Sequence, residues 1–152
     1  MPRTSDETET DSLQRLAVEL LVDSSRFTRV AARRASTEMS AALWRGLSQI
    51  EELGPLRITD LAAADRCSQP TATNLVQRLS ERGWISRSAD PDDARAVLVE
   101  ITDSGREVLE AQRSQAGRAL VPALAALDPE DRRRLADGLV ALRRLLSVQL
   151  SD

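Results

Sequence analysis

The sequence predicts a mainly α-helical protein with one small β-wing. Apolar residues recur at helical spacing over most of the 152 residues, whereas strand-like runs are short and lie mainly within residues 84–101. Hydrophobic residues make up 41% of the chain but aromatic residues only 2%, so the core must consist of Leu, Val and Ala. Side chains of this kind favour helices that pack at close range.

The N-terminal third predicts a tail followed by two helices. Residues 1–11 are rich in Thr, Asp and Glu, which is typical of a disordered acidic tail. Apolar positions then fit a long helix over residues 12–35 and a second helix over residues 40–53. Gly54 and Pro55 should end the second helix, because Pro cannot continue a helix and Gly tolerates the turn.

Two helices in close succession are predicted over the next segment. Residues 56–58 can form a short strand, and Thr59 or Asp60 can cap the helix that follows. Small residues at 61–63 allow this helix to cross closely over the amphipathic helix predicted for residues 68–82. This order is that of a helix-turn-helix.

The second of these helices has a buried stripe and a polar outer face. The buried stripe is expected to contain Ala72, Leu75, Val76 and Leu79. The outer face and the N-terminal turn contain Ser68, Gln69, Pro70, Thr71, Thr73, Asn74, Gln77 and Arg78. Amides can pair with adenine, Thr can contact a base or its methyl group, and Arg can bind guanine or phosphate, so this face predicts a DNA recognition helix. The alternative is a merely solvated helix face, which the small-residue helix directly before it disfavours.

A β-wing is predicted after the recognition helix. Gly83 should end that helix in a left-handed conformation, and strands should lie on both sides of a polar loop at 88–95. Arg95, near the tip of the loop, is the candidate for a contact with the minor groove or the DNA backbone. We expect Asp93 to pair with Arg95 or Arg87 and so to stabilise the wing.

The C-terminal third predicts two further helices. The first should span residues 104–120, be capped by Thr102 or Asp103, and bend or stop at Pro122. The second should begin at 128–129, where Asp precedes Pro, and continue to the C-terminus. Both ends of the chain offer more apolar surface than a small lobe needs, which predicts a two-fold dimer through the terminal helices. The alternative is an intrachain bundle.

Charge is distributed in a way that limits how DNA can be bound. All 21 basic residues are Arg, and the net charge of −3 is contained in residues 1–12. Residues 56–102 hold 6 Arg and 7 acidic residues, so this segment has no basic field. DNA binding must therefore depend on the placement of a few Arg side chains.

Other classes of function are disfavoured by what the sequence contains. Asp90, Asp92 and Asp93 lack the Gly and terminal Glu of an EF-hand loop, so we expect no metal site. A chain without His or a Gly-rich phosphate loop does not predict an enzyme or a cofactor. The single Cys67 is expected to pack in the turn rather than to act as a redox switch. No apolar run is long enough to cross a membrane and the first residues do not resemble a secretory signal, which predicts a cytoplasmic protein.

From about residue 39 to residue 113, the sequence resembles the MarR family of transcription regulators (multiple antibiotic resistance regulators). The resemblance rests on the runs ITDLAAADRCSQPTATNLVQRLSERGWISR, DPDDARAVLVEIT and TDSGREVL, and on Asp93 and Arg95 of the wing. It implies a dimer that reads a pseudo-palindromic operator in double-stranded DNA. It also implies control of DNA affinity by a small anionic or phenolic ligand or by cysteine oxidation.

The resemblance also implies how the chain is divided. Residues 12–152 would form a single domain, in which 12–53 and 103–152 are the helical dimerisation region and 54–102 the winged helix-turn-helix lobe. Two departures affect this expectation. Ala94 stands where the family often has a second Arg, which should weaken the wing's contact, and the chain has no Tyr or His to line a phenol-binding cleft. By analogy, an effector pocket would lie near Trp44 and Arg45.

The function that the sequence predicts is that of a sequence-specific DNA-binding regulator, a dimeric repressor released by a small-molecule effector. The alternative is a winged-helix module that binds another protein and does not read DNA. The near-neutral charge of residues 56–102 supports the alternative, whereas the polar outer face of the second helix supports DNA reading.

Overall fold

A computed structural model describes residues 5–34, 39–93 and 95–149. Over these residues the fold is mainly helical with one three-stranded antiparallel sheet. The elements in chain order are α1 (Ser5–Arg34), α2 (Ala41–Leu53), β1 (Leu56–Arg57), α3 (Ile58–Ala64), α4 (Gln69–Glu81), β2 (Ile85–Ala89), β3 (Val97–Ile101), α5 (Asp103–Ala125) and α6 (Pro129–Gln149). A mainly α fold with a small β-wing is therefore confirmed.

The described residues divide into two compact units. We call residues 39–116 the winged unit, and helix α1 together with residues 117–149 the terminal unit. The sequence places α2 and the start of α5 in the dimerisation region. In the structure Leu43, Leu47 and Ile50 of α2 and Leu109 of α5 belong to the core of the winged unit.

The core of the winged unit lies between its helices and its sheet. Leu47, Ile50, Leu61, Val76 and Leu79 are fully buried there, and two residues from elsewhere in the unit, Val99 and Leu109, complete the set. Leu and Val dominate this set, as the composition predicts, whereas Ile50 was not part of that prediction. Because the core draws on four helices and the sheet, each helix of the unit has a fixed orientation.

The sheet has the strand order β1-β3-β2. Leu56 pairs with Val99 on one side of β3, and Ile85 pairs with Ile101 on the other. The short strand predicted near residues 56–58 therefore joins the wing sheet. Strand β1 lies at the edge of the sheet and so brings Arg57 within hydrogen-bonding distance of Asp90 in the wing loop.

Helix ends agree with several of the predicted signals. Gly54 and Gly83 have φ values of 73° and 70°, the left-handed backbone that favours glycine. Ser40 caps α2, and Asp128 accepts a hydrogen bond of 2.8 Å from the Asp131 N–H at the start of α6. The Thr102 hydroxyl accepts from the Gly105 N–H at 3.1 Å and so caps α5.

Three boundaries differ from the prediction. The expected tail over residues 1–11 is wrong from Ser5 onward, because α1 begins there; residues 1–4 lie outside the described residues. Glu9 and Asp11 lie in the first two turns of α1, where negative charge complements the positive end of the helix dipole. Helix α3 begins at Ile58 with no side-chain cap, and α5 continues through Pro122 to Ala125. A proline within a helix removes one N–H donor, and the Ala126 N–H still donates to the Pro122 carbonyl at 3.2 Å.

Candidate nucleic-acid interface

Helix α4 is held in the winged unit by its buried stripe. Ala72, Leu75, Val76 and Leu79 are buried, as their spacing predicts. Helix α2 approaches closely, since a Cβ atom added at Gly46 would lie 2.5 Å from Leu75 Cδ2. The opposite face of α4 is therefore presented outward by a rigid support.

A tight turn connects α3 to α4. The Cys67 N–H donates to the Ala62 carbonyl at 3.0 Å and the Arg66 N–H donates to the Ala63 carbonyl at 3.1 Å, which is the Schellman pattern of a helix end. Arg66 occupies the left-handed position with a φ of 49°, where glycine is usual. The turn is tied to α2 by an ion pair of 3.2 Å between Arg45 Nε and Asp65 Oδ1.

The N-terminus of α4 is capped by Ser68. The Ser68 hydroxyl accepts from the Thr71 N–H at 3.4 Å and shares a hydrogen bond of 2.8 Å with the Thr71 hydroxyl. Pro70 stands in the first turn, where its missing N–H costs no helical hydrogen bond. Helix N-termini of this kind attract phosphate through their open N–H groups.

The outward face of α4 contains every recognition residue that the sequence predicts on this helix. All of them are exposed: Gln69, Pro70, Thr71, Thr73, Asn74, Gln77 and Arg78. Five line an open concavity of about 450 Å³, namely Gln69, Pro70, Thr73, Asn74 and Gln77. The helix thus offers hydroxyl and amide groups side by side on one surface.

Local hydrogen bonds determine what this face can offer. The Thr73 hydroxyl donates to the Gln69 carbonyl at 2.9 Å, so its proton is already used within the helix. The Gln77 amide nitrogen donates to Glu81 at 3.0 Å, which uses one of its two N–H groups. The Arg78 guanidinium lies in the last turn, further along the helix than the amides.

The end of α4 is fixed to the wing. The Trp84 N–H donates to the Leu79 carbonyl at 3.1 Å, and Gly83 occupies the left-handed position between them. The Arg82 guanidinium lies 5.5 Å from the ring centre of Trp84, within the range of a cation–π contact. The Thr102 hydroxyl donates to the Gly83 carbonyl at 2.7 Å, so the start of α5 supports the same turn.

The wing loop is anchored by a buried carboxylate. Asp90 is 6% exposed, and its Oδ2 atom lies 2.6 Å from Arg57 Nε on β1. Its other oxygen accepts from the Asp92 N–H at 2.8 Å. The Asp92 N–H and the Arg57 guanidinium hold the pKa of Asp90 below its ordinary value of 3.8.

The predicted wing residues make different contacts from those that the sequence predicts. The Asp93 carboxylate accepts from the Arg95 backbone N–H at 3.0 Å. No ion pair joins Asp93 to the guanidinium of Arg87 or Arg95 in the part of the wing that the structure describes. Arg87 is exposed on β2 and Arg95 is exposed on the loop, whereas Ala94 lies outside the described residues.

Asp90 and Arg57 form the loop-anchoring ion pair that sequence reasoning missed. The signal was present, because Asp90 precedes Pro91 and an Asp-Pro pair favours a turn closed by the Asp side chain. Arg57, by contrast, lies 33 positions away in the sequence and only the strand order brings it to Asp90.

The structure also shows the surroundings of the candidate effector-pocket residues and of Cys67. Arg45, which the resemblance puts near an effector pocket, is paired with Asp65, and Trp44 packs against the core. Cys67 is a free, half-buried thiol in the turn. Among the described residues there is no cluster of His, Cys, Asp or Glu suited to a metal ion, and no helix long and apolar enough to cross a membrane.

Comparison with known proteins agrees with this geometry. The sequence model of the MarR family matches residues 39–97. The HTH-type transcriptional regulator Mb0904 of Mycobacterium bovis is 31% identical over 136 residues, which cover 87% of this chain and 95% of the relative. The HTH-type transcriptional repressor NicR of Pseudomonas putida is 37% identical over 65 residues, 43% of this chain and 41% of the relative.

Solved structures share the fold. A mutant of S. aureus MepR bound to an oligodeoxyribonucleotide superposes with a TM-score of 0.60 at 20% identity, covering 86% of this chain and 97% of that chain. The extent of the match to the mycobacterial relative, together with the family model over residues 39–97, decides the assignment. This chain therefore belongs to the MarR family of helix-turn-helix transcription regulators, which bind DNA as dimers.

Proposed function

We propose that the protein is a dimeric repressor that inserts helix α4 of each subunit into successive major grooves of an operator. The two grooves would lie one helical turn apart, roughly 10 base pairs. Thr71, Thr73, Asn74, Gln77 and Arg78 would read bases or adjacent phosphates, while Ser68, Gln69 and Pro70 would approach the backbone at the start of the helix. Arg95 would hold the wing against the DNA, and the Asp93 carboxylate would support it by accepting from the Arg95 backbone N–H.

The observation that carries this proposal is the outward face of α4. Its polar side chains are all exposed, and the buried stripe behind them leaves the helix no freedom to rotate. A surface that only needed to be solvated would not require so rigid a support. Rigid presentation suits hydrogen bonding to base edges, which demands fixed directions.

Apolar side chains of the terminal unit support dimerisation through the terminal helices. Leu13 and Leu16 on α1 are 60% and 62% exposed in a single chain, and Val148 on α6 is 64% exposed. Apolar stripes of this size are costly to leave in water. A second copy that packs against the same helices would cover them and would set the spacing of the two recognition helices.

The remaining parts of the proposal concern regulation. The relative from Pseudomonas putida is named a repressor, which supports repression as the output. A small-molecule effector that alters the spacing of the recognition helices would release the operator. The protein would act in the cytoplasm, where the DNA is, and would catalyse no reaction.

The decisive experiment titrates the full-length protein against duplex DNA from the region upstream of its own coding sequence. We expect binding that weakens steadily as salt rises, because each phosphate contact releases a counterion. A random duplex of equal length is the control and should bind more weakly. Equal binding of both duplexes, or no binding at low salt, would contradict the proposal and favour a protein-binding module.

Two substitutions separate base reading from backbone contact. Asn74→Ala should weaken operator binding roughly 5- to 150-fold and leave random DNA almost unaffected, because a lost base contact matters only at the correct base. Arg95→Ala should weaken both duplexes to a similar extent and reduce the salt slope by about one. Ser114→Ala, an exposed position on α5, is the matched control. The same losses on both duplexes for both variants would refute this division of roles.

A further inference from the structure

Helix α4 contains the information to distinguish one class of operator from another. Base reading in helix-turn-helix proteins falls mainly on the N-terminal part of the recognition helix. From Gln69 to Asn74 this part of α4 has no charged side chain. The groups that it offers are amides, hydroxyls and the ring of Pro70.

The amide groups favour adenine. Asn74 is exposed and lines the concavity, and an Asn amide can donate to N7 of adenine while it accepts from the N6 amino group. Gln77 retains one N–H group and its carbonyl oxygen after donating to Glu81 at 3.0 Å, which is enough for the same pair of bonds. Both residues are therefore equipped for the same base.

Thr73 favours thymine. Its hydroxyl proton is used in the hydrogen bond of 2.9 Å to the Gln69 carbonyl, so the side chain has no free donor for a base. What it can still offer outward is its methyl group and an acceptor lone pair. A methyl group packs well against the C5 methyl of thymine, the partner of adenine in the same pair.

Between Gln69 and Asn74, helix α4 has no Arg or Lys side chain that could bind guanine. The commonest guanine contact uses the paired donors of Arg or Lys, and Arg78 in the last turn is the only such residue between Gln69 and Glu81. A guanine that is read by this helix must therefore lie at the margin of the half-site.

We propose that the operator half-site has A·T base pairs at its centre, opposite Thr73, Asn74 and Gln77, and admits a read G·C pair only at the margin opposite Arg78. This inference rests on the proposed placement of α4 in the major groove. It names the class of DNA sequence that the protein selects.

Selection from a library of random duplexes with the full-length protein tests the inference. We expect enriched half-sites with A·T pairs at the centre, and a loss of roughly 5- to 150-fold when a central pair is changed to G·C. Enriched half-sites with G·C pairs at the centre would overturn the inference while leaving the function of the protein intact. Failure to enrich any sequence would overturn the proposed function as well.

Base analogues then show whether α4 itself reads the pairs. Replacing the central adenine by 7-deazaadenine removes N7 from the major groove and leaves the minor groove unchanged. Wild-type protein should lose affinity on this duplex, whereas Asn74→Ala should bind the two duplexes equally. If both proteins lose the same factor, or neither loses any, Asn74 does not read the adenine. The inference would then be wrong, and an A·T preference would reflect DNA shape.

Discussion

In the winged unit Leu47, Ile50 and Leu61 have no exposed surface, whereas in the terminal unit Leu13 and Leu16 keep about three fifths of theirs. Both regions are rich in Leu, so composition does not separate them. The winged unit closes a core within one chain, and the terminal unit presents an apolar face that one chain leaves open. Because apolar surface of that extent is costly to leave in water, we propose that a second copy completes the terminal unit.

The largest expected effect comes from making that face polar. Leu13→Asp combined with Leu16→Asp should convert the dimer to a monomer, because two charges cannot be buried unpaired in an apolar interface. Operator affinity should fall by roughly 100-fold or more, since a single lobe loses the benefit of bivalent binding. Sedimentation measures the assembly, and DNA titration measures the affinity.

This double variant also tests whether the two regions are independent. The winged unit should stay folded, because its core residues lie within residues 39–116. Glu19→Gln on the same helix is the control and should remain a dimer. Unfolding of the whole chain would show that the winged unit depends on the terminal unit, and an unchanged dimer would locate the interface elsewhere.

Two glycines of helix α5 give a second test, because one lies in each unit. A Cβ atom at Gly105 would collide with the backbone carbonyl of Trp84. At Gly117, apart from its chain neighbours and its own helix backbone, no atom of the described residues lies within 4 Å of such a Cβ. We expect Gly105→Ala to lower the free energy of unfolding by about 3 kcal/mol, the upper range for overpacking against a rigid neighbour. Gly117→Ala should raise it by up to about 1 kcal/mol through better helix propensity.

Urea unfolding measures both glycine variants. A loss on Gly117→Ala as large as that on Gly105→Ala would show that the partner subunit packs tightly against Gly117. The dimer interface would then extend to this part of α5. If Gly105→Ala leaves the free energy of unfolding unchanged, the turn at Trp84 can shift at little cost. Helix α4 would then be less rigidly held than we infer.

Much of the fold follows from local sequence signals. The buried stripe of α4, the left-handed Gly83 and the Asp128 cap each depend on residues within one or two helical turns, and each was predicted. The start of α1 was missed because an acidic, polar segment resembles a disordered tail and yet also suits a helix N-terminus. Composition alone does not decide between these outcomes.

The candidate site was predictable in part for the same reason. The outward face of α4 follows from helical periodicity within one element. The pairs Arg57–Asp90 and Arg45–Asp65 join residues that are 33 and 20 positions apart, so only the tertiary arrangement brings them together. The Asp-Pro pair points to Asp90 as the residue that closes the turn, but nothing in the loop indicates that Arg57 is its partner.

The wing loop differs from the rest of the winged unit, because polar contacts rather than apolar packing hold it. Asp90→Ala should leave the wing loop without its anchor. A mobile Arg95 would add little to DNA binding, so the loss of DNA affinity should match that of Arg95→Ala. Asp92→Ala is the matched control, because the Asp92 backbone N–H, not its carboxylate, is the group bonded to Asp90. Additive losses in the double variant Asp90→Ala with Arg95→Ala would show that the anchor does not act through Arg95.

The same anchor predicts how stability depends on pH. The pKa of Asp90 is lower in the folded protein than its ordinary value of 3.8, through the Asp92 N–H and the Arg57 guanidinium. Its contribution to stability is therefore fully present above that value and is lost as pH falls through the lowered pKa. Thermal unfolding of Asp90→Asn should show a smaller loss of stability below about pH 4 than the wild-type protein, whereas an identical pH profile would exclude Asp90 as the source.

The smallest effect is expected at Arg66, where the winged unit holds a non-glycine residue in a left-handed conformation with a φ of 49°. Arg66→Gly should raise the free energy of unfolding by up to about 1 kcal/mol, because glycine adopts this backbone without a steric cost, although its greater freedom in the unfolded chain offsets part of the gain. Arg66→Ala keeps the steric cost and removes the guanidinium, so it separates the two effects. If Gly and Ala give equal stability, the turn is relaxed at this position. If both lower it, the Arg66 side chain itself supports the turn before α4, and the rigidity of the winged unit depends on more than its core.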